Sequence, residues 1–301
     1  MRRLALALPS LALLSALLLS GCTGAAGEEA PRVGGPFGAR PSVVFPDGGP
    51  PASFRADEPA AGHGPRLRRG DVAIVQYTAH VWDGAGNRLV GSTFTRGAPA
   101  AFPLGALLPG LDRALEGRAA GSRVVAVIPP GDGFGARPPD GVGRDETLLY
   151  VVDVLAVHPK GASAGGPAGS LAGVRVTGGA RPVLTVPRGG PPARFAARVL
   201  SRGAGRPVAA GQLVVVQYET VVWGRRAVVG GTWSSGRPEA FRIGEGGVVR
   251  AWERALSGVP VGSRVLMVVP PAYGYGAAGD ARLGVTGSDT LVVVADVLGA
   301  Y

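Results

Sequence analysis

Two tyrosines, Tyr273 and Tyr275, stand in a glycine-rich loop near the end of the chain, where the sequence reads VVPPAYGYGAAG from Val268 to Gly279. An aromatic hydroxyl in such a loop has little structural duty, so Tyr275 is predicted to face a ligand. Tyr273 is predicted to pack outside the ligand site or to shape the loop. A weaker version, VIPPGDGFGARP, begins at Val127 and has Phe134 in place of Tyr275. This earlier loop therefore lacks the phenolic donor.

The remaining sequence offers no set of nucleophile, base and acid. His63, His80 and His158 are isolated and are interpreted as ordinary surface histidines, and no metal or cofactor is predicted. The formal charge is +10, and Lys160 is the only lysine among the basic residues. Because the arginines are scattered and do not alternate with aromatic residues, nucleic-acid binding is not expected. A solvated basic surface beside an anionic membrane or wall explains the charge.

The N-terminus predicts the compartment. Residues 1–22, MRRLALALPSLALLSALLLSGC, have two arginines, an apolar run and a small-residue cleavage site, as in a signal peptide. Leu19-Ser20-Gly21-Cys22 resembles a bacterial lipobox, in which Cys22 is acylated; the alternative is a plain secretory signal that ends in cysteine. We expect a protein anchored by lipid to the outer face of the cell membrane, with residues 23–32 as a flexible tether. A sole cysteine excludes internal disulfides.

An internal repeat organises the rest of the chain. GARPSVVFPDGGPPASF, from Gly38, aligns without a gap to GARPVLTVPRGGPPARF, from Gly179, and Tyr77 pairs with Tyr218 at the same spacing of 141 residues. Gapless identity over such distances predicts two copies of one domain. We place the first copy at residues 33–158 and the second at 174–301, joined by a flexible linker over 159–173.

Each copy is predicted to be α+β. Runs such as LVVVQYETVVW, SRVLMVVPP and TLVVVADVL have the β-branched composition of strands. A single stretch in each copy has helical periodicity, LLPGLDRALEG in the first and VVRAWERALSG in the second, and Gly117 and Gly258 are predicted to end these helices. The sequence therefore predicts, twice, a twisted antiparallel sheet wrapped on one short helix. Trp82, Trp223 and Trp233 are expected at the surface or in hairpin packing.

Taken in this order, these pieces resemble the FKBP-type prolyl isomerases. The shared features are a strand ending in Val-x-Tyr, a Leu-Gly or Ile-Gly before a helix with Val-Val-x-x-Trp, the loop PPxxGYG, and a final Thr-Leu-Val strand. The resemblance covers both copies and implies, in each, an apolar pocket between sheet and helix that receives a proline ring. In the second copy it implies the pocket residues Tyr218, Val229, Val248, Val249, Trp252, Tyr275 and Val293.

The first copy has a more degenerate set at these positions. Its residues are Tyr77, Val90, Leu107, Leu108, Leu111, Phe134 and Tyr150. Relatives usually have Phe-Asp after the first hairpin, but the chain has Val90-Gly91 and Val229-Gly230 there, so both copies lack the aromatic wall and its carboxylate. Trp252 by itself would be interpreted as a core residue.

Two functions from different classes remain. The first is a peptidyl-prolyl cis-trans isomerase that assists the folding of extracytoplasmic proteins, with activity mainly in the second copy. The second is a catalytically silent holdase that binds peptides in degenerate pockets. In either case the expected partners are proline-containing or partly unfolded secreted proteins, and the chain is expected to be a monomer.

Overall fold

The structure is a computed structural model that describes residues 30–83 and 86–301. The predicted signal peptide, the lipidation site Cys22 and residues 23–29 of the tether lie outside these residues, while the last tether residue, Arg32, begins a strand. Within the described part of the chain, none of the helices has the length and apolar character needed to cross a membrane.

Two large antiparallel sheets dominate the molecule, one in each copy. The elements up to residue 158 are β1 (Arg32–Gly34), β2 (Ser42–Val44), β3 (Arg55–Ala60), β4 (Val72–Trp82), β5 (Asn87–Ser92), α1 (Thr93–Arg96), β6 (Ala100–Pro103), α2 (Pro109–Leu115), β7 (Arg123–Ile128) and β8 (Thr147–His158). Those that follow are β9 (Gly169–Leu171), β10 (Val174–Thr177), β11 (Val183–Thr185), β12 (Ala196–Ser201), β13 (Leu213–Val222), β14 (Ala227–Gly231), β15 (Glu239–Arg242), α3 (Arg250–Leu256), β16 (Arg264–Val269) and β17 (Leu291–Ala300).

The sheets have the same strand order. In the first copy it is β3-β7-β8-β4-β5 with β6 paired to the other part of β4, and in the second β12-β16-β17-β13-β14 with β15 paired to β13. Long, valine-rich central strands are buried on both faces, because each sheet is covered on its two sides. The repeat read from the sequence is therefore a repeat of topology.

A short helix packs on one face of each sheet, as the periodicity predicts. Helices α2 and α3 are each followed by a glycine with positive φ, 79° at Gly117 and 77° at Gly258, which is the left-handed conformation that ends a helix. The expectation of one helix per copy needs a correction in the first copy. The four-residue helix α1 also forms there, because the Ser92 hydroxyl accepts hydrogen bonds from the N–H groups of Phe94 and Thr95.

Small β-extensions cover the other face of each sheet. In the first copy the β1–β2 hairpin places Val33 and Val43 against the buried indole of Trp82. In the second copy β9, β10 and β11 form a three-stranded sheet that covers Trp223 and Trp233. All three tryptophans are buried, so of the two expected placements, at the surface or in hairpin packing, the surface placement is wrong, and Trp82 packs against a hairpin. Their burial needs the extensions, whose apolar residues supply the missing side of the packing.

The segment predicted as a flexible linker is part of this covering. Its residues Gly169–Leu171 form strand β9 and pair with β10. Upstream, the Ser163 hydroxyl and the Ala164 N–H both donate to the Asp296 carboxylate, at 2.7 Å and 3.0 Å. The expectation of a free connector is therefore corrected, because these contacts attach the segment to the second copy.

A buried ion pair fixes the extension of each copy. Arg264 donates to both oxygens of Asp296, at 2.6 Å and 2.8 Å, and both side chains are 0% exposed. Its other nitrogen donates to the Gly179 carbonyl at 2.9 Å. Arg123 and Asp153 make the same paired contact in the first copy. Such a pair is stable only when the remaining donors are also satisfied, and the carbonyls of the extension satisfy them.

The two copies meet through equivalent residues. Val72 and Ile74 form one buried apolar cluster with Leu213 and Val215, their counterparts at the 141-residue spacing. At the edge of this cluster His158 Nε2 lies 2.8 Å from the Tyr301 hydroxyl. His158 is 8% exposed, so its expected surface position is wrong. Because equivalent residues of the two copies face each other, this interface has an approximate two-fold symmetry.

Candidate functional site

A cavity of about 700 Å³ opens between the sheet and helix α3 of the second copy. Its walls come from β13, β14, β15 and β17, from the segment before α3, and from the loop after β16. The structure brings together around it all seven residues that the family resemblance implies for this copy: Tyr218, Val229, Val248, Val249, Trp252, Tyr275 and Val293. A cavity of this size, in which apolar side chains and polar groups both reach the surface, suits a small ligand or a short peptide segment.

Tyr218 is held by its neighbours along the sheet. Its backbone N–H donates to the hydroxyl of the buried Thr232 at 2.9 Å, and its ring meets the Trp252 indole edge-on with centroids 5.2 Å apart. Burial, and then the nearby Glu239 carboxylate, raise the pKa of the Tyr218 phenol. The phenol is therefore neutral at physiological pH, with one proton to donate.

Trp252 forms the floor. It lies on α3, packs at 5.0 Å from the Phe241 ring, and remains partly exposed toward the cavity. A wholly structural indole at this position would be sealed by the core. Because one face stays accessible, Trp252 offers a flat apolar surface on which a ligand ring can rest.

The loop after β16 places Tyr275 at the rim. Two backbone hydrogen bonds between Asp280 and Val285 close this loop, at 2.8 Å and 2.9 Å. Gly279 has φ 66°, and a Cβ there would lie 2.2 Å from the Val285 carbonyl oxygen, so the close approach requires glycine. The Tyr275 hydroxyl makes no hydrogen bond to any residue that the structure describes. Burial, and then Asp280, raise the pKa of this phenol, so it remains a donor.

A second free donor lies across the cavity. Val249 is the last residue before α3 and has extended backbone geometry. Among the described residues, its N–H has no acceptor. A ligand with two carbonyl groups could therefore receive hydrogen bonds from the Tyr275 O–H and the Val249 N–H while its apolar part rests on Trp252.

The structure also brings a carboxylate that the sequence pattern did not indicate. Gly230 borders the cavity with open space, since a Cβ there would meet only Leu283, at 3.9 Å. Glu239, from β15, instead reaches the Tyr218 hydroxyl, whose O–H donates to Glu239 Oε2 at 2.9 Å. The site therefore has a carboxylate at the tyrosine, but from a different strand. Only the pairing register of a four-residue strand could have indicated it.

The equivalent residues of the first copy lie together in its core. Leu111 and Tyr150 are 3% and 7% exposed, and the Tyr150 ring stacks on Tyr77 with centroids 5.9 Å apart. Tyr77, Val90, Leu107, Leu108 and Phe134 pack against this cluster. The Tyr150 ring, which replaces Val293, thus fills part of the space that is open in the second copy.

A shallower groove of about 410 Å³ borders Tyr77, Val90 and Gly91, the counterparts of three residues that line the cavity of the second copy. Arg96, from α1, donates to the Tyr77 hydroxyl and lies over the Tyr77 ring, with its guanidinium carbon 5.5 Å from the centroid. The tyrosine that meets a carboxylate in the second copy therefore meets a cation in the first.

Tyr273 lies apart from the cavity. Its ring packs on Phe195 with centroids 5.0 Å apart, and Arg254 stacks over both rings. These contacts attach the loop to the outside of α3. Tyr273 therefore shapes the loop that presents Tyr275.

Comparisons with known proteins agree on one family. The family description "FKBP-type peptidyl-prolyl cis-trans isomerase" matches residues 64–155 and 205–294. An FK506-binding protein of Streptomyces anulatus is 30% identical over 118 residues, which are 39% of this chain and 95% of the relative. The isomerase FkpA of Escherichia coli K12 is 30% identical over 99 residues, 33% of this chain and 36% of that protein. The three FKBP domains of wheat FKBP73 align with 82% of this chain and 94% of theirs, at 19% identity and a TM-score of 0.33.

Proposed function

Because this chain belongs to the FKBP-type peptidyl-prolyl cis-trans isomerases, we propose that its catalytic site is the cavity of the second copy. The observation that supports this placement is the open cavity with an accessible indole floor and two unpaired donors, Tyr275 O–H and Val249 N–H. The first copy has no such combination among its described residues.

The proposed mechanism is selection of the twisted X–Pro bond. Rotation about this bond loses amide resonance, which sets a barrier of roughly 18–20 kcal/mol. At the transition state the imide is less polar than in the planar form, so an apolar surface such as the Trp252 face favours it. Hydrogen bonds from Tyr275 and Val249 to flanking carbonyls would hold the segment in the bent geometry. This needs no nucleophile and no proton transfer.

The substrates we propose are proline-containing segments of incompletely folded secreted proteins. Uncatalysed exchange takes tens to hundreds of seconds, slow enough to limit folding. The extracytoplasmic setting and the lipid anchor rest on the N-terminal sequence and Cys22 alone. Replacing Cys22 with Ala is expected to release the protein from the membrane fraction, and unchanged fractionation would contradict the anchor.

The test of the isomerase site uses the full chain and a short X–Pro peptide. We expect the wild type to speed cis/trans relaxation, and Tyr275→Phe and Trp252→Leu each to slow it several-fold, because each removes one proposed contact. Phe134→Tyr, in the first copy, serves as the matched control and should change nothing.

A second function, a silent peptide-binding protein, is favoured by two observations. Gly230 leaves a gap where relatives have a carboxylate, and the first pocket is occupied. A relaxation rate equal to that in buffer at micromolar enzyme, with an unfolded secreted protein still bound, would establish this second function and refute the first.

A further inference from the structure

Glu239 occupies a position in the second copy that has no acidic counterpart in the first. Val216 pairs with Glu239 across β13 and β15, and its counterpart Val75 pairs with Ala100 across β4 and β6. The carboxylate at the tyrosine is therefore a feature of one copy. It lies on the cavity wall beside Tyr218.

The hydrogen bond between these residues fixes which groups face a ligand. The Tyr218 proton is directed to Glu239 Oε2 at 2.9 Å, so the Tyr218 oxygen faces the cavity as an acceptor. The second oxygen of Glu239 has no hydrogen bond within the described residues. Asp280, also on the wall, uses Oδ1 to accept the Leu283 N–H at 3.1 Å and leaves Oδ2 open. One side of the rim thus consists of acceptors.

The charged side chains at the rim of the cavity give it a net negative charge. Three charged side chains border the cavity, the carboxylates of Glu239 and Asp280 and the guanidinium of Arg282. Burial raises the pKa of both tyrosines, Tyr218 and Tyr275, and the carboxylates raise it further against the opposing effect of Arg282. The cavity therefore has a net negative charge, whereas the chain as a whole has a formal charge of +10.

We propose, on the basis of the isomerase function proposed above, that Glu239 makes the second site selective for X–Pro segments with a cationic side chain next to the proline. A lysine or arginine there would find the open oxygens of Glu239 and Asp280 while its proline rests on Trp252. An acidic residue at the same place would meet the like charges of Glu239 and Asp280. Glu239 is also a positioning residue, since it orients the Tyr218 hydroxyl.

The expected size of the effect follows from Coulomb's law. Two unit charges about 6 Å apart at a partly solvated site change an equilibrium roughly tenfold. Because salt ions can enter such a site, added salt should weaken this preference. The Debye length is about 10 Å in 0.1 M salt, which is of the same order as the distance between the two charges. A preference that came only from side-chain shape would not respond to salt.

The experiment measures three blocked peptides, Ala-Xaa-Pro-Phe with Xaa as Arg, Leu or Glu, on the full chain. For each we would determine kcat/KM for isomerisation and, separately, Kd by calorimetry. In the wild type each unit step in peptide charge, from Glu to Leu to Arg, should raise both quantities roughly tenfold, so the Arg peptide should exceed the Glu peptide by up to about 100-fold. Glu239→Gln, which retains an acceptor for Tyr218 while removing the charge, should reduce that ratio to about one- to threefold.

Glu116→Gln is the matched control. It makes the same change in net charge on an exposed residue of the first copy and should leave the ratio as in the wild type. A ratio in Glu239→Gln that equals the wild-type ratio overturns the proposal, as does a wild-type ratio near one at low salt.

The binding measurement separates this proposal from the isomerase function. A Glu239-dependent preference in Kd without any isomerisation would support charge selection and overturn the proposed catalysis. Isomerisation of all three peptides at equal kcat/KM would support the proposed catalysis and overturn the charge selection. If none of the peptides binds or isomerises, both proposals fail.

Discussion

The two copies share a topology and differ in what surrounds one tyrosine. In the second copy Tyr218 donates to a carboxylate beside an open cavity, and in the first Tyr77 accepts from Arg96 beside a filled core. The threonines that hold the two backbones are the same, since Thr93 accepts the Tyr77 N–H at 2.8 Å as Thr232 does for Tyr218. The scaffold that positions the tyrosine is therefore independent of the chemistry around it, and a few side chains determine whether a site is open.

The largest expected effect tests whether the shared scaffold is equally important in both copies. Arg264→Ala leaves Asp296 buried without its partner, so the free energy of unfolding should fall by about 3–5 kcal/mol. Arg123→Ala should show a loss of similar size, measured by urea denaturation. The exposed pair of Arg225 and Asp289 is the control, and Arg225→Ala should lower stability by less than about 1 kcal/mol. Equal losses in all three variants would contradict the structural role of the buried pairs.

The second-largest expected effect comes from giving one site the residues of the other. The double variant Trp252→Leu with Tyr275→Phe gives the second copy the floor and loop residues of the first. Activity on a short X–Pro peptide should fall about 10- to 50-fold, the product of the two single effects, because the floor and one donor are lost together. Leu111→Trp with Phe134→Tyr, the reciprocal change, should add no measurable activity, since the surrounding core remains occupied. If the reciprocal variant gained activity, the closed state of the first site would not depend on its packing.

A smaller effect concerns the place where the copies touch. Burial lowers the pKa of His158 to about 4, so the folded protein keeps this histidine neutral. As pH falls below the unfolded value of about 6.5, the unfolded chain takes up a proton that the folded chain does not, and stability decreases. Between about pH 7.5 and pH 5 this loss should amount to about 2 kcal/mol.

The comparison variant for this measurement is His158→Gln, which cannot take up the proton. Its urea-unfolding free energy should decrease less over the same pH range. Other titrating groups are common to both proteins and cancel in the difference. Parallel pH profiles would show that His158 does not control the acid sensitivity of the interface.

The smallest expected effect compares the two tyrosines directly. Tyr218→Phe removes a hydroxyl from the open cavity and should lower kcat/KM a few-fold, while Tyr77→Phe should leave it unchanged. The two variants remove the same atom from equivalent strands, so a difference between them reports the site and not the fold. Equal decreases would assign activity to both copies.

Much of this could be read from the sequence, because repeats and β-branched runs are local signals. The long strands, the helices before Gly117 and Gly258, and the set of residues around the cavity followed from spacing and from the family resemblance. The covering strand β9 did not, because Gly169–Leu171 sits in a segment rich in small residues that gains its structure only by pairing with β10. Glu239 was missed for a related reason, since its contact with Tyr218 depends on the register of β15, which no sequence spacing specifies.

The near-symmetric contact between the copies has a consequence for how their sequences can diverge. In an assembly of two identical subunits every substitution appears twice, so one binding site cannot be altered while the other is preserved. Here His158 faces Tyr301 at equivalent positions, and the two partners are already different amino acids. Fusion into a single polypeptide thus lets each half acquire substitutions separately, and a half that no longer accepts a ligand can still support its neighbour.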